Sequence, residues 1–83
     1  MSYKIAFKKS VSRDLKKIGK DQAERILAKI EEQLPDKADN FPSLTVKFAS
    51  LRKFRVGDYR VIYAIIEDTA LILRISHRRE SYR

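Results

Sequence analysis

Apolar and polar residues alternate through Tyr3, Lys4, Ile5, Ala6 and Phe7, which puts Tyr3, Ile5 and Phe7 on one side of a short strand. The spacing then changes. Val11, Leu15 and Ile18 recur at the helical interval, with Ser10 or Ser12 available as a cap and Gly19 as a stop. A second helix is predicted from Asp21 as N-cap, with Glu24 three residues on as in a capping box. Its apolar stripe is Ala23, Ile26, Leu27, Ile30 and Leu34, and it is expected to end before Pro35. Asp36 to Leu44 lacks periodicity and reads as a connecting loop. From about Lys47 the pattern is that of strands, broken by turns at Gly57-Asp58 and Asp68-Thr69. The expected architecture is α+β in the order β-α-α-β-β-β. The sheet is small and rich in antiparallel pairs, strand one lies beside a later strand, and two N-terminal helices cover one face.

With Gly57 and Asp58 as the two loop residues, Val56 faces Tyr59, Arg55 faces Arg60, Phe54 faces Val61 and Lys53 faces Ile62. Lys53, Arg55 and Arg60 then share one face, and Phe54, Val56, Tyr59 and Val61 the other. A turn at Asp68-Thr69 carries the register on, so that Ile66 meets Leu71, Ala64 meets Leu73, Ile62 meets Ile75 and Arg60 meets His77. The face with Ile62, Ala64, Ile66, Leu71, Leu73 and Ile75 is expected to lie under the helices, basic only at one end.

Size and composition sharpen this picture. The 83 residues form one domain, 1–83, because a second core of this size would bury too little apolar surface. A hydrophobic content of 43% supports a single core, and 36% charged residues point to a heavily ionised surface. Nineteen Lys and Arg against eleven Asp and Glu give a net charge of +8, which favours polyanions or an acidic protein partner. The absence of cysteine excludes disulfides and thiolate metal sites, and one histidine excludes a multi-histidine site. No metal or small-molecule cofactor is expected. The amino terminus lacks the apolar run of a signal peptide and no stretch is long enough to span a bilayer, so a cytoplasmic protein without membrane contact is expected.

Arg55 opposite Arg60 violates the rule against like charges on facing strands, a breach expected at functional sites and relieved by an anionic ligand. Arginine's planar fork suits phosphate oxygens. The competing reading pairs Arg60 with Asp58 or Glu80. His77 is either a structural histidine or a titrating group beside Arg78 and Tyr82. Tyr59, Tyr63, Phe41 and Phe48 read as packing residues, while Tyr82, in a polar tail, is the tyrosine placed to meet a ligand. Most helix charges read as a solvated face, with Lys16 and Lys17 as candidates for nucleic-acid backbone.

The block Asp58 to Tyr63, DYRVIY, and the ending that carries His77, Arg78 and Tyr82 resemble the RelE branch of the RelE/ParE toxin superfamily. The block is common to much of the superfamily and marks the fold, whereas the ending points towards RelE. The resemblance covers the whole chain. It implies the toxin of a type II toxin–antitoxin system, a ribosome-dependent mRNA endoribonuclease that cuts messenger in the ribosomal A site and so inhibits translation. It also implies a RelB-like antitoxin, expected to wrap the toxin with an acidic segment. Arg60 matches the arginine after the block's first tyrosine, Lys53 a lysine on the preceding strand, and Arg78 and Tyr82 a basic and aromatic pair near the carboxyl end. Leu51 stands where some relatives carry a second lysine.

The implied reaction is metal-independent. The ribose 2′-hydroxyl attacks the adjacent phosphate, leaving a 2′,3′-cyclic phosphate and a free 5′-hydroxyl, and the site must remove one proton, supply another and stabilise phosphoryl charge. Arg60 and Arg78 are assigned to the phosphate, Lys53 to the same task or to the base, and Tyr82 to stacking or orientation. His77 is the candidate acid or base in place of the lysine that Leu51 replaces. Arg52, Arg55 and Arg79 are assigned to backbone phosphate of messenger or ribosomal RNA. The alternatives are a ParE-like toxin that binds DNA gyrase, and a nucleic-acid-binding protein without activity, for which no helix-turn-helix is visible.

Overall fold

The computed structural model describes residues 2–40 and 51–77. The elements follow the expected order: β1 (Lys4–Phe7), α1 (Lys9–Ile18), α2 (Lys20–Lys37), β2 (Leu51–Val56), β3 (Tyr59–Ile66) and β4 (Thr69–His77). They form a four-stranded sheet in the order β1-β4-β3-β2, with β1 parallel to β4 and the other two pairings antiparallel. The core lies between this sheet and the helices, where Val11, Ile26, Ile30, Leu34 and Ala38 meet Phe54, Val56, Val61, Tyr63, Ala70, Ile72 and Ile75.

The helix ends differ from their expected form. Lys8 is the N-cap of α1 and makes no side-chain cap, so neither Ser10 nor Ser12 performs that role. Ser10 lies inside the helix and its hydroxyl donates to the Leu73 carbonyl at 3.0 Å. Gly19 does end α1, at φ 99°, with its N–H donating to Leu15 O at 3.2 Å. That same glycine, rather than Asp21, is the N-cap of α2, and Asp21 falls in the helix's first turn.

Pro35 does not stop α2, which runs on to Lys37. The stripe Ile26, Ile30, Leu34 continues four residues further to fully buried Ala38, whose N–H donates to Leu34 O at 3.0 Å. Packing on both sides of the proline thus carries the last turn despite the donor it lacks. The Pro35 carbonyl accepts from Tyr3 N at 2.7 Å, tying this turn to the start of β1.

The first hairpin has the expected register, Arg55 opposite Arg60 and Lys53 opposite Ile62. Gly57 takes φ 58° while Asp58 does not enter the left-handed region, the sign pattern of a type II′ turn. The second hairpin turns one residue earlier than expected, at Glu67-Asp68, with Ile66 opposite Thr69 and Ala64 opposite Leu71. A bulge follows. Tyr63 pairs with Ile72 and Ile62 with Arg74, leaving Leu73 as the extra residue. The corrected register sets Arg60 opposite Ser76 and Tyr59 opposite His77, so Ile62 does not meet Ile75 and Arg60 does not meet His77.

The covered face is also the other one. Phe54, Val56, Val61, Tyr63, Ala70, Ile72 and Ile75 lie under the helices, whereas Ile62, Ala64, Leu71 and Leu73 are half-buried and Ile66 is 55% exposed. Both faces of β3 are apolar, and Tyr63 settles the choice. Among the described residues it is the largest fully buried side chain, and its hydroxyl donates to the Ala38 carbonyl at 2.6 Å.

Candidate nucleic-acid interface

β2 and β3 position the basic group through strand alternation. Arg55, Arg60 and Ser76 form one row across β2, β3 and β4, and Lys53, Ile62 and Arg74 form the next row of partners. Lys53, Arg55 and Arg60 therefore share the face turned from the helices, next to the Gly57 turn. Arg55 is exposed, Lys53 and Arg60 half-buried, and Ser76 nearly buried at 8%. With neighbouring strands about 4.8 Å apart, arginines facing each other in register present two guanidinium groups to one anion. Further along this face Ile62, Ala64, Leu71 and Leu73 are half-buried and Ile66 is exposed, so the three cations gather towards the Gly57 end.

The corrected register separates His77 from this group. It pairs with Tyr59 on the helix side of the sheet, and the two rings meet edge to face with centroids 5.2 Å apart. A cavity of about 100 Å³ opens there, lined in part by Asp14, Lys17, Tyr59, Arg74, Ser76 and His77. Arg52 also lies off the cationic face: it stands opposite Tyr63, and its guanidinium donates to the Asp39 carbonyl at 3.1 Å. Arg78, Arg79, Tyr82, Glu80, Phe41 and Phe48 lie outside the described residues.

One cation escaped the sequence reading. Arg74 follows the bulge residue Leu73, is exposed, and approaches Asp14 of α1 at 3.9 Å. Its signal was present, since an arginine interrupts the apolar run Leu71, Ile72, Leu73, Ile75 at a position where strict alternation assigns it to the buried side. Asp14 also accepts from Ile75 N at 3.0 Å.

Burial raises the Tyr63 hydroxyl to a pKa of about 12, with Arg52 acting in the opposite direction. It is a neutral donor under ordinary conditions and belongs to the core. Among the described residues no cluster of three or more histidine or acidic side chains is placed to hold a metal ion, and no helix is long and apolar enough to cross a membrane.

The sequence from residue 5 to 82 matches the family model described as the ParE toxin of the type II toxin–antitoxin system parDE. Among solved structures, the chain is similar to the toxin–antitoxin complex RelBE2 from Mycobacterium tuberculosis, at 29% identity and a TM-score of 0.72, covering 94% of this chain and 100% of that one. A RelB–RelE antitoxin–toxin complex from Methanococcus jannaschii matches at 28% identity and TM-score 0.66, over 93% of this chain and 94% of that one. The archaeal RelE–RelB complex from Pyrococcus horikoshii matches at 28% identity and TM-score 0.63, over 94% and 97%. Among curated proteins none matches. A family match over nearly the whole length, on a fold shared with these toxin complexes, shows that the chain belongs to the ParE toxin family of type II toxin–antitoxin systems, within the RelE/ParE superfamily.

Proposed function

We propose that this toxin is a ribosome-dependent, metal-independent mRNA endoribonuclease acting in the cytoplasm. The observation that carries the reading is the row in which Arg55 faces Arg60, with Lys53 on the same side of the sheet. Cations placed in register on one face suit a bound phosphate, whose oxygens two planar guanidinium groups can share. Arg60 and Arg55 hold the phosphoryl oxygens as charge develops on them, and Lys53 adds a third cation or accepts the 2′ proton. Arg78 and Tyr82 supply a further phosphate contact and a stacking ring, and Arg79 a backbone contact. His77 and Arg52 stand on the other face and take no direct part in this arrangement. The likeness to RelE toxins at 28% and 29% identity supports the same reading.

The partner that silences the toxin is an antitoxin of the RelB kind, as in the complexes to which the chain is similar. A toxin of net charge +8 calls for an acidic segment that folds as it binds.

A second reading, inhibition of DNA gyrase, is favoured by the ParE description of the matching family model. Primer extension on messengers after induced expression separates the two. Cuts inside translated codons that vanish in Arg60→Ala are expected, with gyrase supercoiling unchanged by purified toxin. Intact messengers together with blocked supercoiling establish the gyrase reading instead.

A further inference from the structure

The first helix carries a feature that the open sheet face does not explain. Lys9, Arg13, Lys16 and Lys17 fall within an arc of about 100° on α1, all exposed, while Val11, Leu15 and Ile18 occupy the opposite side against the core. The stripe rises about 12 Å along the helix axis. No acidic residue interleaves it: Asp14, the one acid of α1, is turned to β4, where it meets Ile75 N and Arg74. α2 is different, with four cations offset by five acids and an internal pair between Lys29 and Glu32 at 3.6 Å.

The stripe runs the length of the helix, from Lys9 in the first turn to Lys16 and Lys17 in the last. Lys8 is the N-cap and Lys9 the first residue of α1, with no acid in the first turn and no side-chain cap. Cations at the positive end of the helix dipole are unfavourable, so Lys9 stands there against the local preference, whereas Lys16 and Lys17 sit at the end that favours them. Four cations on one exposed face with no acid among them, on one helix and not its neighbour, form a surface suited to a polyanion.

We propose that the Lys9, Arg13, Lys16 and Lys17 stripe is a docking surface for an RNA phosphodiester backbone, separate from the Lys53, Arg55 and Arg60 face where the reading above puts the cut strand. This rests on RNA being the toxin's target. α1 follows the direction of β4 past the end of β1, as Lys8 N to Ile72 O, Ser10 to Leu73 O and Asp14 to Ile75 N show in succession. Its last turn therefore reaches the end of the sheet that bears Arg60, with Lys17 lining the same small cavity as Tyr59 and His77. Two surfaces at one end of the molecule can then grip two stretches of RNA.

The test measures binding of a short single-stranded RNA and of an RNA duplex over a salt series, for the wild type and for Lys9→Gln, Arg13→Gln, Lys16→Gln and Lys17→Gln combined. The combined variant is expected to lower the slope of log affinity against log salt by about 3, at about 0.7–0.9 per phosphate contact, and to weaken binding by about tenfold or more. Arg25→Gln with Lys29→Gln, which removes charge from α2, is expected to leave the slope unchanged. Lys9→Glu is expected to raise Tm while weakening RNA binding, which a purely structural role cannot produce. An unchanged slope in the combined variant overturns the proposal, as does RNA binding left intact while affinity for the antitoxin falls. Messenger cleavage is followed separately, so a wild type that binds RNA through the stripe but makes no cut removes the nuclease reading and leaves the docking surface standing.

Discussion

Three residues show how a single side chain is decided by its surroundings. Arg60 stands opposite Arg55 and beside Ser76, on the face away from the helices. Arg60→Ala is expected to leave the fold intact while abolishing most messenger cleavage. Toxicity retained in that variant would contradict the assignment. His77 packs its ring edge to face on Tyr59 instead. A general acid or base contributes about 10²–10⁴-fold, so a His77→Gln loss well below 100-fold, with the pH dependence near neutrality kept, is the expected result. Tyr63 is the residue whose titration reports the fold. Its hydroxyl is raised to about 12 by burial and donates to the Ala38 carbonyl. A group whose pKa is higher in the folded chain contributes stability that is complete below its ordinary value of 10.0 and lost as pH rises from there to about 12. Tyr63→Phe is expected to cost about 1–3 kcal/mol at neutral pH, and denaturant midpoints should show that difference shrinking above pH 10.

At the scale of elements, the sheet edge left by β1 is closed by a helix. β1 ends at Phe7, and the next part of β4 is met by α1 through Ser10 on Leu73 O and Asp14 on Ile75 N. Asp14→Ala leaves the Ile75 amide without this acceptor, at a cost of about 1–3 kcal/mol. Hydrogen exchange at that amide is expected to quicken more than exchange at Tyr63. Equal changes at both would mean that the helix stabilises the sheet only globally. The order of elements, the first hairpin and the shared face of Lys53, Arg55 and Arg60 were legible because strand alternation and a Gly-Asp turn fix them locally. The covered face was not. Val61, Tyr63 and Ile65 on one side of β3 are matched by Ile62, Ala64 and Ile66 on the other, and alternation says which residues travel together without saying which set meets the helices. The second turn was hidden because Glu67 takes a left-handed φ of 55° that favours glycine. One residue of slip there, followed by a bulge at Leu73 with no glycine to signal it, moved His77 from Arg60 to Tyr59.

Across the whole molecule, charge is divided between the two ends of the sheet. The Gly57 end carries Lys53, Arg55 and Arg60, and the Glu67 turn end carries Glu67, Asp68, Asp36 and Asp39 around an open hollow of about 420 Å³. The cations of the Gly57 end outnumber its one acid, Asp58, and a basic protein with that polarity along its sheet approaches a polyanion with that end leading, because the field orients the molecule before contact. Under the proposed nuclease reading, association with ribosomes is expected to be fast at low salt and to slow steeply as salt rises, with dissociation much less affected. Asp36→Asn with Asp39→Asn takes negative charge from the trailing end, so it should leave the association rate unchanged or slightly raise it. Lys53→Gln with Arg55→Gln, which removes as many charges from the leading end, should slow association by about tenfold at low salt and by little at high salt. Stopped-flow measurement of the four rates decides the point. If the two double variants shift the rate by equal and opposite factors, net charge alone governs the encounter and the polarity of the sheet has no part in it.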